Sequence, residues 1–237
     1  MSNNFFQFKQ FRVEQERCAL KVGTDACILG AFFAGKIPSL ARVLDIGSGT
    51  GLLLLMLAQK NVGRMDAIEL EPGCFSQLQS NLNASPWKER LNAIQGDVRQ
   101  FINDEKYDFI IVNPPFYEHD LASPSKEKNL AKHSLELSLE ELIAAIDYLL
   151  SPNGTFGLLL PYHRASFFES LATQKQFHLA GRLSIRQTPE HNYFRSILHF
   201  SREAITETAE AILTIYSHPN RYSPGFLELM RDYYLHL

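Results

Sequence analysis

Cysteine is scarce in this chain: three residues in 237, Cys18, Cys27 and Cys74. The count is odd, no CxxC pair occurs and no histidines cluster nearby. The expectation is structural thiols in a reducing cytosol, with no metal site. Long apolar runs are missing as well. The longest strongly apolar stretch, LLLLMLA at 52–58, falls far short of the ~20 residues that span a bilayer. The start, MSNNFFQFKQFRVEQERC, lacks the apolar core of a secretion signal. A soluble, cytoplasmic protein with no membrane partner is expected, and a monomer is the working assumption. Low-complexity tracts, internal repeats and convincing linkers are also absent. With 45% hydrophobic and 21% charged residues, the chain has enough apolar side chains for a substantial core and is not generally disordered.

Charge of one sign does not dominate, since the net charge is -3. Its distribution is uneven. Residues 1–42 carry six Lys/Arg against three acids, residues 43–160 nine against sixteen, and residues 161–237 eight against seven, with six of the eight histidines. An acidic middle between neutral-to-basic flanks permits a nucleic-acid surface on the flanks. Charge alone does not require one.

What is present is an alternation of strand and helix patterns. RVLDI (42–46), RMDAIEL (64–70), LNAIQGD (91–97), YDFIIVN (107–113) and TFGLLLP (155–161) read as strands. LLLLMLAQK (52–60), PGCFSQLQSNLNAS (72–85), SLEELIAAIDYLL (138–150) and RASFFESLATQ (164–174) read as helices, the third opened by a Ser138/Glu141 capping box and closed by SPNG. HLAGRLSIRQ and FRSILHFSR, joined by TPEHNY, give an antiparallel pair at one edge. SPGFLELMRDYYLHL (223–237) reads as a closing helix, and Thr24 as the cap of a helix ahead of the first strand. The expected fold is α/β: one Rossmann-like domain over 1–237, with a mostly parallel seven-stranded sheet, an antiparallel edge strand and helices on both faces. The polar stretch 118–137 reads as a mobile substrate loop. Residues 1–40 read as an arm and helix able to cover a ligand. FQFKQFRV alternates aromatics with Lys9 and Arg12, which suits an edge strand as well as a cover.

LDIGSGTG (44–51) is strand, turn, then helix. Gly47, Gly49 and Gly51 let the backbone approach a ligand closely, and the following helix offers free N–H groups. A P-loop needs Gly-Lys-Ser/Thr, and here Gly51 is followed by Leu52; a dinucleotide turn needs glycine at 52. The spacing instead resembles the S-adenosylmethionine turn of class I methyltransferases. Glu69 ends the second strand, where a carboxylate can accept ribose hydroxyls, as it also does in NAD enzymes. By resemblance, Asp97 would contact the adenine amino group and the Val98 N–H its ring, while Asp45 would orient the turn or meet the cofactor's ammonium. Three acids at three successive strand ends argue against chance capping.

IIVNPPF (110–116) ends a buried strand at an amide. The Asn113 side-chain oxygen and the Pro114 carbonyl can hold the two N–H groups of an exocyclic amine. Pro114 and Pro115 fix φ and remove donors, and Phe116 offers a stacking face. N-P-P-F resembles the amino-methyltransferase signature. Protein glutamine methyltransferases share the tetrad, usually as NPPY, but carry a helical domain ahead of the glycine turn that the 44 residues before Asp45 do not resemble.

FxFKQF, CALKVGTDA, LDIGSGTG, VNPPF and RYSPGFLELMRDYYL, in order along nearly the whole chain, resemble the bacterial tRNA1(Val) adenine-N6 methyltransferase family. That resemblance implies S-adenosylmethionine as cofactor, Lys21 and Thr24 near it with Asp45, Gly47, Gly49, Gly51, Glu69, Asp97, Val98 and Asn113, and adenine 37 of tRNA1(Val) as target. The alternative is an amino-group methyltransferase of another RNA, DNA or a protein glutamine. Lys126, Lys128, Lys132, Arg182, Arg186, Arg195 and His191 are candidate phosphate contacts. A zinc deaminase is excluded by the missing H-x-E and P-C-x-x-C pair.

Overall fold

Runs such as VLDI and YDFIIV have almost no polar residue to turn toward water, so each must be covered on both faces. Strand β3 (Val43–Ile46) is buried at all four positions, and β6 (Tyr107–Val112) at five of six. The computed structural model describes residues 4–114 and 137–237. Within them β3, β4 (Met65–Glu69), β5 (Leu91–Gln95), β6, β7 (Leu150–Pro161), β8 (His178–Arg186), β9 (Arg195–Ser201) and β10 (Ala209–Thr214) form one sheet in the order β10-β8-β9-β7-β6-β3-β4-β5.

β3, β4, β5, β6 and β7 are mutually parallel, while β9 is antiparallel to both β7 and β8. The expectation of seven strands with an antiparallel edge is therefore corrected. The sheet has eight, the antiparallel strand lies inside it, and β10 closes the edge parallel to β8. AEAILT escaped notice because only Leu213 of its six residues is buried. An edge strand covered on little of its surface carries little apolar pattern.

Helices α1 (Thr24–Ala34), α2 (Leu52–Ala58), α3 (Pro72–Ala84), α4 (Leu139–Leu149) and α5 (Ala165–Gln174) cover the two faces, and α6 (Pro224–Met230) follows the sheet. One core gathers α1, α2 and α6 with Phe109, Leu159 and Ile197. The other gathers α4 and α5 with Leu44, Ile110, Phe156 and Leu198. α1 crosses the sheet closely because Gly157 leaves room: a β-carbon there would come within 2.1 Å of the Phe33 ring. The Ser138/Glu141 capping box forms as read, and Pro72 occupies the first turn of α3.

Three boundaries differ. SPNG does not separate helix from strand, because β7 already begins at Leu150. Thr24 is the first residue of α1 rather than its cap; Gly23 holds that place with no side-chain bond. The closing helix ends at Met230, so that Tyr233 and Tyr234 turn inward and are buried.

The arm forms its own hairpin, β1 (Phe5–Gln7) with β2 (Arg12–Glu14), outside the main sheet. Phe8, Phe11 and Val13 are buried, and Phe8 bridges to Tyr234, so the arm is held by the C-terminal segment. It is also held covalently. Cys18 and Cys74 form a disulfide, with Cα atoms 4.7 Å apart, which corrects the expectation of free thiols; only Cys27 is free. The pairing was hidden because 56 residues separate the two cysteines. It arises only where the arm crosses the first turn of α3. No helix among the described residues is long and apolar enough to cross a membrane.

Candidate active site

Parallel strands bring their C-terminal ends to one edge. Ile46 of β3 pairs with Ile68 of β4 on one side and with Val112 of β6 on the other. The next residues, Gly47, Glu69 and Asn113, therefore stand at one level on three neighbouring strands, with about 4.8 Å from strand to strand. Gln95 of β5 pairs with Glu69, which puts Asp97 two residues further along the same edge.

The turn needs its glycines. Gly47, Gly49 and Gly51 have φ of 67°, 57° and 83°, a left-handed region that costs other residues roughly 1–2 kcal/mol each. A β-carbon on Gly47 or Gly49 would meet no atom within 4 Å, whereas one on Gly51 would strike Leu78 at 2.7 Å. The first two thus leave an open cradle and the third permits packing on α3. The N–H groups of Gly47 and Ser48 both donate to the Ile68 carbonyl, at 3.0 and 3.2 Å. Ser48 Oγ donates to the Asp45 carbonyl at 2.8 Å.

Glu69 braces the turn from the next strand. Its Oε2 accepts from Gly49 N at 2.8 Å and its Oε1 from Glu71 N at 2.9 Å. Each oxygen keeps a lone pair for a further donor. Asp97 is more fully occupied: it accepts from Arg99 N at 2.9 Å and pairs with the Arg99 guanidinium at 2.6 Å. That guanidinium holds the Asp97 carboxyl below the usual carboxylate range and also reaches Glu141 of α4 at 3.2 Å. Val98, next in the chain, is buried.

Asp45 is fully buried in β3, and neither carboxylate oxygen has a hydrogen-bond partner among the described residues. Burial, with the nearby Glu69 charge adding to it, pushes its carboxyl up to about 8.

Asn113 is half-buried and Pro114 buried. Pro115, Phe116 and nearly all of the 118–137 loop, with Lys126, Lys128 and Lys132, lie outside the described residues. Lys21 is turned into the arm, where Nζ donates to the carbonyls of Gln15 and Cys18. Thr24 is exposed at the start of α1. That helix start is fixed to the same sheet edge, because Asp25 pairs at 3.0 Å with Arg195, whose β9 rung is opposite Pro161 at the end of β7.

Two of the candidate phosphate contacts are engaged in ion pairs, Arg195 with Asp25 and Arg182 with Glu169. Arg186 is held by Thr214 Oγ1 and the Pro189 carbonyl, and His191 Nδ1 lies 2.7 Å from Thr188 Oγ1.

Sequence reading missed Asn81, a buried amide in α3. It donates to the carbonyls of Glu14 in the arm and Thr50 in the turn, both at 2.8 Å, and accepts from Glu14 N at 3.0 Å. The signal was faint: a polar residue on the apolar face of an amphipathic helix. A cavity of about 370 Å³ lined by Lys9, Gln59, Lys60 and Arg231 lies at the far end of α2 and is unrelated to this edge.

The sheet order, the left-handed glycine turn and the strand-end acids make this a class I methyltransferase fold. Solved structures agree. A "predicted O-methyltransferase" from Agrobacterium tumefaciens superposes with a TM-score of 0.69 over 87% of this chain and 95% of its own, at 14% identity. The glycopeptide N-methyltransferase MtfA, solved with S-adenosyl-L-methionine, does so with a TM-score of 0.55 over 78% and 90%, also at 14% identity. The family described as methyltransferase small domain matches residues 27–154.

Full-length relatives are more specific. The tRNA1(Val) (adenine(37)-N6)-methyltransferase of Dyadobacter fermentans is 40% identical over 98% of both chains. That of Tolumonas auensis is 38% identical over 100% of this chain and 99% of its own. This chain belongs to the tRNA1(Val) (adenine(37)-N6)-methyltransferase family.

Proposed function

We propose that this protein methylates the exocyclic N6 of adenine 37 in tRNA1(Val), beside the anticodon, using S-adenosyl-L-methionine in the cytoplasm. The observation that carries the reading is the register of β6 on β3, which sets Asn113 level with Gly47 on adjacent strands. The residues present fit the cofactor. Gly47 and Gly49 leave a cradle that any side chain would fill, and Glu69 has acceptor capacity for ribose hydroxyls beside it. Asp97 and Val98 would meet the adenine, Asp45 would position the turn or meet the cofactor's ammonium, and Lys21 and Thr24 would approach the cofactor from the segment ahead of β3. When bound, the cofactor supplies an electrophilic methyl group on a sulfonium.

The adenine amine is a weak nucleophile because its lone pair is delocalised into the ring. Asn113 Oδ1 and the Pro114 carbonyl accept its two N–H groups, which turns the lone pair out of the ring plane and toward the methyl carbon. Pro114 and Pro115 restrict the backbone so that the acceptors are already in place. Phe116 stacks the extruded base, worth roughly 1–3 kcal/mol against an extrusion cost of a few kcal/mol. The nitrogen that has gained a methyl sheds one proton to solvent along these acceptors. Most of the acceleration comes from proximity and alignment.

The deciding assay incubates the protein with methyl-labelled cofactor and either unmodified tRNA or a glutamine-containing peptide, followed by mass spectrometry of the nucleosides. The expected product is N6-methyladenosine at position 37. Label in the peptide, or at another nucleotide, overturns the assignment.

A further inference from the structure

A second recognition feature stands one strand away from Asn113, on residues that methyl transfer does not use. Val112 pairs with Leu158, which sets Leu159 level with Asn113, so β7 runs two residues past that level and Tyr162 is the third residue beyond it. Three residues of strand advance about 10 Å. At that point Tyr162 N donates to the Phe194 carbonyl at 3.1 Å. This contact brings the Tyr162 and Tyr193 rings to 5.1 Å between centroids, with planes inclined at 40°. Tyr162 is 39% exposed, a large area of aromatic surface for a residue beside a reactive edge.

The pair forms one wall of a groove of about 340 Å³ across β8 and β10, completed by Arg182, Ser184, Glu210 and Ile212. That volume lies within the range of small-ligand sites, about 300–1,000 Å³. The chemistry is mixed in a particular way. The tyrosine faces and Ile212 are apolar. Arg182 Nε is a buried donor with no hydrogen-bond acceptor among the described residues. The Glu210 carboxylate, 3.9 Å from it and largely exposed, is an acceptor. A flat face beside a neighbouring donor and acceptor is what a splayed-out base requires, because every base offers a π-face and an edge of both kinds. Cations flank the pair: the Arg186 guanidinium lies 5.9 Å from the Tyr193 ring centre, and Arg164 follows Tyr162 by two residues. Both suit phosphates of a strand crossing the edge.

We propose that Tyr162 and Tyr193 stack an unpaired RNA base adjacent in the strand to the target adenine, holding the loop open while the target reaches Asn113. This inference rests on the tRNA reading above and adds the second contact point on the substrate. The test uses the full chain with both tyrosines changed to alanine, beside Tyr162→Phe, which keeps the ring. Cofactor affinity, melting temperature, tRNA Kd and the KM and kcat for unmodified tRNA are measured for each.

The double variant is expected to raise Kd and KM for tRNA about tenfold or more. Its cofactor affinity should be unchanged and its kcat at saturating tRNA within a few-fold, while Tyr162→Phe stays within about twofold of wild type. Ultraviolet crosslinking of the unaltered protein to tRNA should recover Tyr162 or Tyr193 joined to a nucleotide neighbouring position 37. Unchanged tRNA Kd and KM in the double variant, or crosslinks confined to other surfaces, overturn the stacking site while leaving the methyltransferase reading intact. A wild-type protein that binds cofactor yet methylates no tRNA overturns both.

Discussion

The two halves of the sheet edge are built by different rules. On the β3-β4-β5 side, main-chain groups and strand-end acids hold one another. Gly47 and Ser48 donate to Ile68, Gly49 donates to Glu69, and Asn81 ties the turn to the arm. On the β7-β9-β8-β10 side, the edge is made of long side chains paired across elements, Arg195 with Asp25, Arg182 with Glu169, and Tyr162 with Tyr193. A ligand shared by many enzymes can be met by a fixed backbone shape. A particular RNA must be met by side chains, and these change without disturbing the fold. On the proposed reading, cofactor recognition is written into local spacing and substrate recognition into packing.

The comparison is broken most severely at the seam between the halves. Asn113→Ala removes the acceptor proposed to orient the amine, and kcat for tRNA methylation is expected to fall about 10³-fold or more, since positioning carries most of the rate. Cofactor and tRNA affinities should remain near wild type. Single-turnover kinetics with separate binding titrations check this, and a kcat within tenfold of wild type removes Asn113 from the mechanism.

A second break falls wholly on the cofactor side. Glu69→Gln loses the charge that braces Gly49 and is proposed to meet the ribose. Charged hydrogen bonds contribute roughly 1.5–3 kcal/mol, so calorimetry should show cofactor Kd weakened by about 10- to 100-fold with tRNA Kd unaffected. A parallel loss of tRNA affinity would mean that the two sides are not separable.

The smallest effect is one of pH. Asp45 has its carboxyl raised to about 8 in the folded chain, above its unfolded value. Between about pH 4 and 8 the folded state therefore binds more protons at this site than the unfolded state does, and stability declines as pH rises through that window. Asp45→Asn lacks this contribution. The unliganded variant should melt at or above the wild-type temperature at pH 8, and its melting temperature should fall less between pH 5 and 8. Parallel melting curves across that range would show that folding does not raise the Asp45 carboxyl.

How much could be read beforehand follows the same division. LDIGSGTG was legible because three left-handed positions in five residues leave glycine little competition, and Glu69 was legible because it ends an unmistakable strand. The end of β6 at Val112 was legible because the prolines that follow Asn113 cannot donate to a strand ladder. The disulfide was not: Cys18 and Cys74 are 56 residues apart and meet only where the arm crosses α3. β10 was not, because an edge strand with one buried residue leaves no alternation to read. Arg182 and Arg195 looked like free cations in a string of letters, and their acidic partners come from other elements.

The sequence alone determined that a glycine-lined turn and an amide–proline sequence would follow two apolar strands, because those features depend on φ preference and on residues a few places apart; the cofactor itself came from family resemblance. Tertiary structure decided that they share one edge, that the arm is pinned across α3, and that a tyrosine pair stands about 10 Å beyond Asn113. Register, crossing and ion pairing join residues distant in the chain, and no local preference specifies which of many partners they meet.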